Sequence, residues 1–326
     1  MDDNLQLKKS QDMKTILICG ATGFIGRNVA EYYAQNTDYD VIGVFNRRPP
    51  FSHPRIRWVQ ADLTNPREAA TVMSGVNILI QAAATTSGIK DIFSKPHMHV
   101  TDNAVMNSYL FRLAHENGLE HVVFFSCTIM LASNPLPQTE EDFDANAKMH
   151  PRYFGAGWTK VYLEKMCEFY AQLGNTKYTV IRHSNVYGPH DKFDLETSHV
   201  CGATITKVMR ASESVTVWGS GEETRDLLYV QDLVDMVNSV IEKQGVSFAI
   251  YNCGAGSSVS INDLVKKVIA ESNKTLDLKY DLSMPTVLNH LQLDCSKAKN
   301  DLDWIPKHSL SLGISKTVKW WQENIS

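Results

Sequence analysis

The stretch 13-MKTILICGATGFIGRNVAEYYAQ-35 decides the fold. Met13 to Cys19 is a short apolar run of the kind that forms a buried parallel strand. It passes without a break into Gly20, Gly23 and Gly26, spaced GxxGxxG, and then into a helical pattern, Arg27 to Gln35. Glycines at these positions permit a tight turn. They also let backbone N–H groups approach a pyrophosphate at the helix N-terminus. Alone, the motif is also compatible with a plain structural turn; after the first strand of a serial βαβ chain it points to dinucleotide binding.

The pattern repeats outward from there. Strands are expected at Tyr39–Phe45, Ile56–Gln60, Val76–Gln81, 121-HVVFFS-126 and Tyr178–Ile181, with helices over Asp102–Asn117 and after Gly157. Alternating strands and helices predict an α/β, Rossmann-type, doubly wound parallel sheet. After Gly188-Pro189 the pattern loosens into short strands (SVTVWG, FAIYNCG, LDLKYD) and short helices. The expected organisation is a mobile polar leader over 1–12 and a dinucleotide-binding domain over 13–188. A smaller α/β substrate lobe, partly interleaved with the first domain, follows over 189–326.

Composition narrows the class. Of 326 residues, 43% are hydrophobic and 21% charged, with 32 basic and 36 acidic residues and a formal net charge of -4. That is globular composition with no basic excess for nucleic acid or an anionic membrane. No apolar run approaches the roughly 20 residues of a membrane helix. Six scattered cysteines without a CxxC spacing suggest a reducing, cytoplasmic setting and no metal site.

The second strand ends in Asn46-Arg47-Arg48, where an NAD enzyme usually places a carboxylate for the ribose 2′-OH. No acid repels a 2′-phosphate there, and two guanidiniums can pair with it. NADP(H) is therefore favoured, with NAD possible. Gly20, Thr22, Gly23, Phe24, Ile25 and Gly26 of the loop are the expected cofactor contacts. Asn46, Arg47, Arg48, the Asp62-Leu63 pair and Ala82, Ala83 and Ala84 join them.

With GATGFIG, ADL (61–63), QAAA (81–84), the Ser126 strand end, NVYGPHDKF (185–193), VWGSGEETRDLLYVQDL (217–233) and YNCGAGSSVSI (251–261), the sequence resembles the extended short-chain dehydrogenase/reductase family. That family acts on nucleotide sugars as epimerases, dehydratases and reductases. The later motifs are most similar to its GDP-L-fucose synthase branch. The resemblance implies epimerisation beside a 4-ketone and NADPH reduction of that ketone, a GDP-sugar substrate, and a homodimer built on paired long helices. It implies Ser126 as a hydrogen-bond donor to the reacting oxygen and Lys160 on the nicotinamide ribose. It implies His190 as a base for a carbon-bound proton, with a pKa suited to that work. Arg225 would grip the substrate diphosphate. Asn185, Ser198, His199, Val200 and Trp218 would line the sugar and nucleotide pocket.

The chain departs from the pattern at three places, Thr128, His290 and Ala156. The branch's acid/base cysteine is Thr128 here, with Cys127 one residue earlier; a hydroxyl is a far weaker acid or base than a thiol. The arginine near the C-terminus is His290. No Asp-Glu pair follows Ser126, which speaks against a 4,6-dehydratase. The family's tyrosine, four residues before the lysine, is Ala156. Tyr153, seven residues before Lys160, is the substitute candidate, although Gly155 and Gly157 weaken an early helix start. Three readings remain open: an NADP(H)-dependent nucleotide-sugar epimerase and/or 4-reductase, a redox-neutral NAD-dependent 4-epimerase, and a cofactor-binding homologue without catalysis.

Overall fold

A computed structural model describes residues 13–85, 97–195, 197–284 and 290–325. The expected leader, 1–12, lies outside the described residues. The chain opens with β1 (Thr15–Cys19), α1 (Phe24–Asn36), β2 (Asp40–Phe45), β3 (Ile56–Gln60), α2 (Pro66–Val72) and β4 (Ile78–Gln81). It continues with α3 (Met98–Glu116), β5 (His121–Ser126), α4 (Phe154–Ala171), β6 (Lys177–His183), β7 (Asn185–Tyr187) and α5 (Val200–Arg210). Then follow β8 (Ser214–Trp218), β9 (Thr224–Tyr229), α6 (Val230–Lys243), β10 (Phe248–Cys253), β11 (Ser258–Ser260), α7 (Ile261–Glu271), β12 (Asp277–Asp281), α8 (Ser296–Leu302) and α9 (Leu310–Asn324).

Seven strands form one parallel sheet in the order β10-β6-β5-β4-β1-β2-β3. Its strands are apolar on both faces because both faces are covered. Ile16, Ile18, Ile80, Val123 and Phe125 pack with α1 and α6 residues such as Val29, Tyr33 and Leu233. The alternate positions Leu17, Cys19, Leu79, Val122, Phe124 and Val180 pack with Leu110, Phe111, Leu163 and Cys167 of α3 and α4. This period of two decides below where Ser126 points. The strand order reverses between β1 and β4, and in such sheets the crevice at the carboxyl ends beside that reversal receives ligands.

β10 comes late in the chain yet pairs with β6 at the sheet edge. The remaining strands make two small sheets, β11-β9-β7 and β12-β8. They share a core of their own, with Leu227, Leu264, Ile314 and Trp321. The helix carrying Lys160 begins at Phe154, directly after a 3-10 turn over Pro151–Tyr153, so both glycines lie inside it. Packing outweighs their low helix propensity. A Cβ at Gly157 would meet the Met149 sulfur at 2.3 Å, and one at Gly155 would meet Val100 of α3 at 2.8 Å.

Candidate active site

The glycine loop is shaped for close backbone approach. Gly20 has φ +72°, and a Cβ there would meet Ala83 Cα at 2.7 Å. A Cβ at Gly26 would meet the Gly20 carbonyl at 2.2 Å. The loop after β1 and the alanines after β4 thus close on each other at the strand-order reversal, and only glycine fits between them. Gly23 caps α1, which has no side-chain cap and no acidic residue in its first turn. Such a helix end presents N–H groups and positive dipole to an anion. The cradle has the close backbone approach and the open helix end that a dinucleotide pyrophosphate needs.

The end of β2 is more open. Asn46, Arg47 and Arg48 are exposed, and Arg48 Nη1 donates to the Thr22 carbonyl at 3.0 Å. Phe24, Ile25 and Ala82 pack at the edge of the core, and Leu63 is buried. Asp62 is exposed. Its carboxylate accepts from the Thr64 hydroxyl at 2.7 Å and the Thr64 N–H at 3.0 Å, which lowers its pKa.

A cavity of about 420 Å³ lies at the other end of the crevice. Thr128, Tyr153, Asn185 and Arg225 line it, with Lys148 and His150 on the loop before α4. Asn185 Nδ2 donates to the Asp226 carbonyl at 3.2 Å, fixing it on β7. Arg225 Nη1 donates to the Thr224 carbonyl at 2.9 Å; burial lowers its pKa, and Tyr153 and Glu223 act against that. Lys160 Nζ donates to the Phe125 carbonyl at 2.7 Å and sits 4.6 Å above the Phe124 ring. Burial lowers its pKa, and the neighbouring Cys127, Glu164 and Cys167 oppose that shift.

Several expected site residues lie elsewhere. Ser126 is fully buried, and its hydroxyl donates to Glu164 Oε1 at 2.6 Å. It shares the sheet face of Val122 and Phe124, as does Arg182 opposite it on β6, and that face looks onto α4 rather than the cavity. Arg182 donates to both Glu164 oxygens, at 3.1 and 2.7 Å, and to the Glu140 carbonyl at 2.9 Å. Ser126 is therefore part of a buried polar network, and the expectation that it donates into the site is corrected.

His190 is also displaced. Its Nε2 lies 3.4 Å from Glu31 of α1, and its ring meets Trp320 of α9 edge-on at 4.9 Å. It lies in the junction between α1 and α9, outside the cavity that holds Tyr153. The histidine that feels Lys160 is a different one. His183, at the end of β6, has its pKa pushed down to about 4 by burial, with Lys160 and His199 adding to the shift. Its Nδ1 lies 2.8 Å from the Ser184 carbonyl. An Nδ1–H donated there leaves the Nε2 lone pair as acceptor. Burial also lowers the pKa of His199, with Lys192 second.

His199 caps α5 and Val200 begins it, while the Ser198 hydroxyl donates to the Asp194 carbonyl. None of these three is in the wall of that cavity, but His199 lies close enough to His183, which itself interacts with Lys160, for their charges to interact. Trp218 is also away from it, exposed, with Lys207 Nζ 4.6 Å above its ring. His290 supports the cavity from outside. Its Nδ1 lies 3.1 Å from the Thr224 hydroxyl, its N–H donates to Ser133 Oγ, and its carbonyl accepts from Asn134 N–H. Sequence reasoning missed Glu164, Arg182 and His183. The available signal was Arg182 itself, a charge at an inward position of an otherwise apolar strand.

Among the described residues, no group of three or more metal-ligating side chains converges, and no helix is long and apolar enough to cross a membrane. Residues 16–254 match the model of the NAD dependent epimerase/dehydratase family. The chain is 25% identical over 313 residues to a GDP-L-colitose synthase of Yersinia pseudotuberculosis, covering 94% of this chain and 97% of that protein. It is 26% identical over 321 residues to a GDP-L-fucose synthase of Sinorhizobium fredii, covering 97% and 98%. Among solved structures, the UDP-glucose 4-epimerase of Thermotoga maritima with UDP-glucose superposes with a TM-score of 0.84 at 25% identity, covering 96% of this chain and all of that one. A glycine cradle at the sheet's reversal, a helix lysine at the end of β5 and a match over most of the chain lead to one conclusion: this protein belongs to the NAD dependent epimerase/dehydratase family and is an NAD(P)-dependent enzyme.

Proposed function

We propose that the chain is an NADP(H)-dependent nucleotide-sugar epimerase and/or 4-reductase acting on an NDP-4-keto-(deoxy)hexose, with a GDP-sugar favoured. The observation that carries this reading is the single cavity in which Tyr153, Thr128, Asn185 and Arg225 meet. Arg225 supplies a planar fork for a diphosphate. Asn185 orients the sugar, and Thr128 offers a hydroxyl to charge developing on its oxygen. Tyr153 supplies the proton for that oxygen. Lys160, held at the Phe125 carbonyl, orients the nicotinamide ribose. The bound cofactor supplies the hydride. Turnover is tested with a panel of GDP- and other NDP-4-keto-6-deoxyhexoses while NADPH absorbance is followed. No turnover with any of them would overturn the reading.

Removal of a carbon-bound proton is assigned to a histidine other than His190: His183, which interacts with Lys160, or His199, which interacts with His183. His190→Asn is expected to leave solvent-deuterium incorporation into the sugar ring within about twofold of wild type. His199→Asn is expected to lower it by about 100-fold, within the range of a positioned general base. The reverse pattern would return the base to His190.

Cofactor choice is assigned to the arginines after β2. Arg47→Ala with Arg48→Ala is expected to weaken NADPH on the order of 100-fold, since hydrogen bonds to a charged group contribute about 1.5–3 kcal/mol each. NADH should change little; equal losses in titration would remove the assignment. A redox-neutral 4-epimerase with NAD is the second reading, favoured by the likeness to the Thermotoga maritima epimerase. It predicts NAD retained through purification and no exchange with NADPH.

A homodimer is supported by α4, where Phe154, Tyr162 and Phe169 are exposed at helical spacing, with Leu173 exposed just after its end. A monomer mass in sedimentation would exclude it. The six free thiols suit a cytoplasmic protein, and export of a tagged chain from its cell would argue otherwise.

A further inference from the structure

A second cavity, of about 380 Å³, opens beside the glycine loop. Arg48 lines it, and the same side chain donates to the carbonyl of Thr22 within that loop. Two more cations line it from the C-terminal part of the chain: Lys192, in the turn after β7, and Arg210, at the end of α5. Three positive side chains from three separate segments thus face one space. Like charges brought together repel unless something negative lies between them.

The acids in the cavity are Asp191 and Asp194. Asp194 accepts from the N–H and the hydroxyl of Thr197. Asp191 accepts from the Lys192 N–H through Oδ1 at 2.7 Å. Its Oδ2 is buried with no hydrogen-bond partner among the described residues, and Asp191 as a whole is 9% exposed. A buried carboxyl oxygen left in this state is costly to keep ionised. His190, also on the wall, is turned to Glu31 and Trp320. Burial pushes the Asp191 carboxyl up to about 7, so near neutral pH it readily holds a proton. In that form it sets no negative charge against the three cations.

We infer that this cavity is the outer half of a phosphomonoester site for the cofactor's 2′-phosphate, with Lys192 and Arg210 facing Arg48 across it. The inference rests on the NADP(H) reading and adds to it two specificity residues from the far part of the chain. The cofactor is then held by both halves of the protein: its pyrophosphate by the glycine loop and its distinguishing phosphate by the junction with the C-terminal lobe.

The test titrates NADPH, NADH, 2′-AMP and inorganic phosphate into the full chain and its Lys192→Ala and Arg210→Ala variants. Each variant is expected to raise the NADPH and 2′-AMP dissociation constants about 10-fold or more, with NADH within about twofold. Unchanged NADH binding shows that the variants fold, and Lys192→Arg is expected to restore most of the NADPH affinity. If wild type prefers NADPH and both variants keep that preference in full, this inference fails while the NADP(H) reading stands. If wild type binds both cofactors equally, both fail. Phosphate that binds at Lys192 and Arg210 without competing with NADPH overturns the assignment to the cofactor.

Discussion

Tyr153→Phe is expected to lower kcat by about 10² to 10⁴, the range of a positioned acid, with a smaller change in KM. Tyr153 stands at the N-cap of α4 on the wall of the cavity, and Arg225 is close enough for the two to interact. Ser126, the alternative donor on β5, is turned to Glu164, and His190 is held between α1 and α9. Of the groups weighed for proton transfer to the sugar oxygen, Tyr153 is the one the fold leaves in place. Its position seven residues before Lys160 puts it about 10 Å along the helix, two turns away on the same face. The phenol and the ammonium are therefore farther apart than groups four residues apart would be. Phe keeps the ring and removes only the hydroxyl, so the change reads the proton and not the packing. Turnover within about threefold of wild type would rule Tyr153 out as the acid.

Glu164→Ala is expected to cost about 3–5 kcal/mol of stability, the usual result of removing one partner from a buried ion pair. Glu164 and Arg182 are each 3% exposed. The carboxylate accepts the Ser126 hydroxyl and two guanidinium N–H groups, so its loss strands a buried cation and a buried hydroxyl at once. The network ties β5 and β6 to α4, one helical turn beyond Lys160, so Lys160 should also lose its fixed place at the Phe125 carbonyl. Denaturant unfolding checks the energy. Glu164→Gln, which keeps the shape and one acceptor, should cost clearly less. A loss below about 1 kcal/mol for the alanine variant would mean that water enters and satisfies Arg182. NADH affinity measured below the transition separates local displacement of Lys160 from global unfolding.

The large sheet was legible because its cause is local. Runs such as Ile16–Cys19 and Val122–Phe125 are apolar at every position, and such runs are buried on both faces wherever helices alternate with them. The glycine loop was legible for a similar reason, since its spacing is a requirement of the backbone and needs no distant partner. The short elements of the later half were less so. β7, β9 and β11 exist through pairing across tens of residues, as Val259 opposite Arg225 shows, and their sequences carry little periodicity.

For the candidate site the division is sharper. The sequence by itself determined which residue types stand at the ends of β1, β2 and β5 and in the helix of Lys160, and so the family chemistry. Only the tertiary structure decided which of them face one another. Ser126 and Arg182 are 56 residues apart and become partners because strand register places them side by side on the face toward Glu164. His190 leaves the site because α9, more than a hundred residues later, offers Trp320 to its ring. Side-chain direction depends on pairing register and on what packs against each face, and both are set by contacts between segments that no local spacing records.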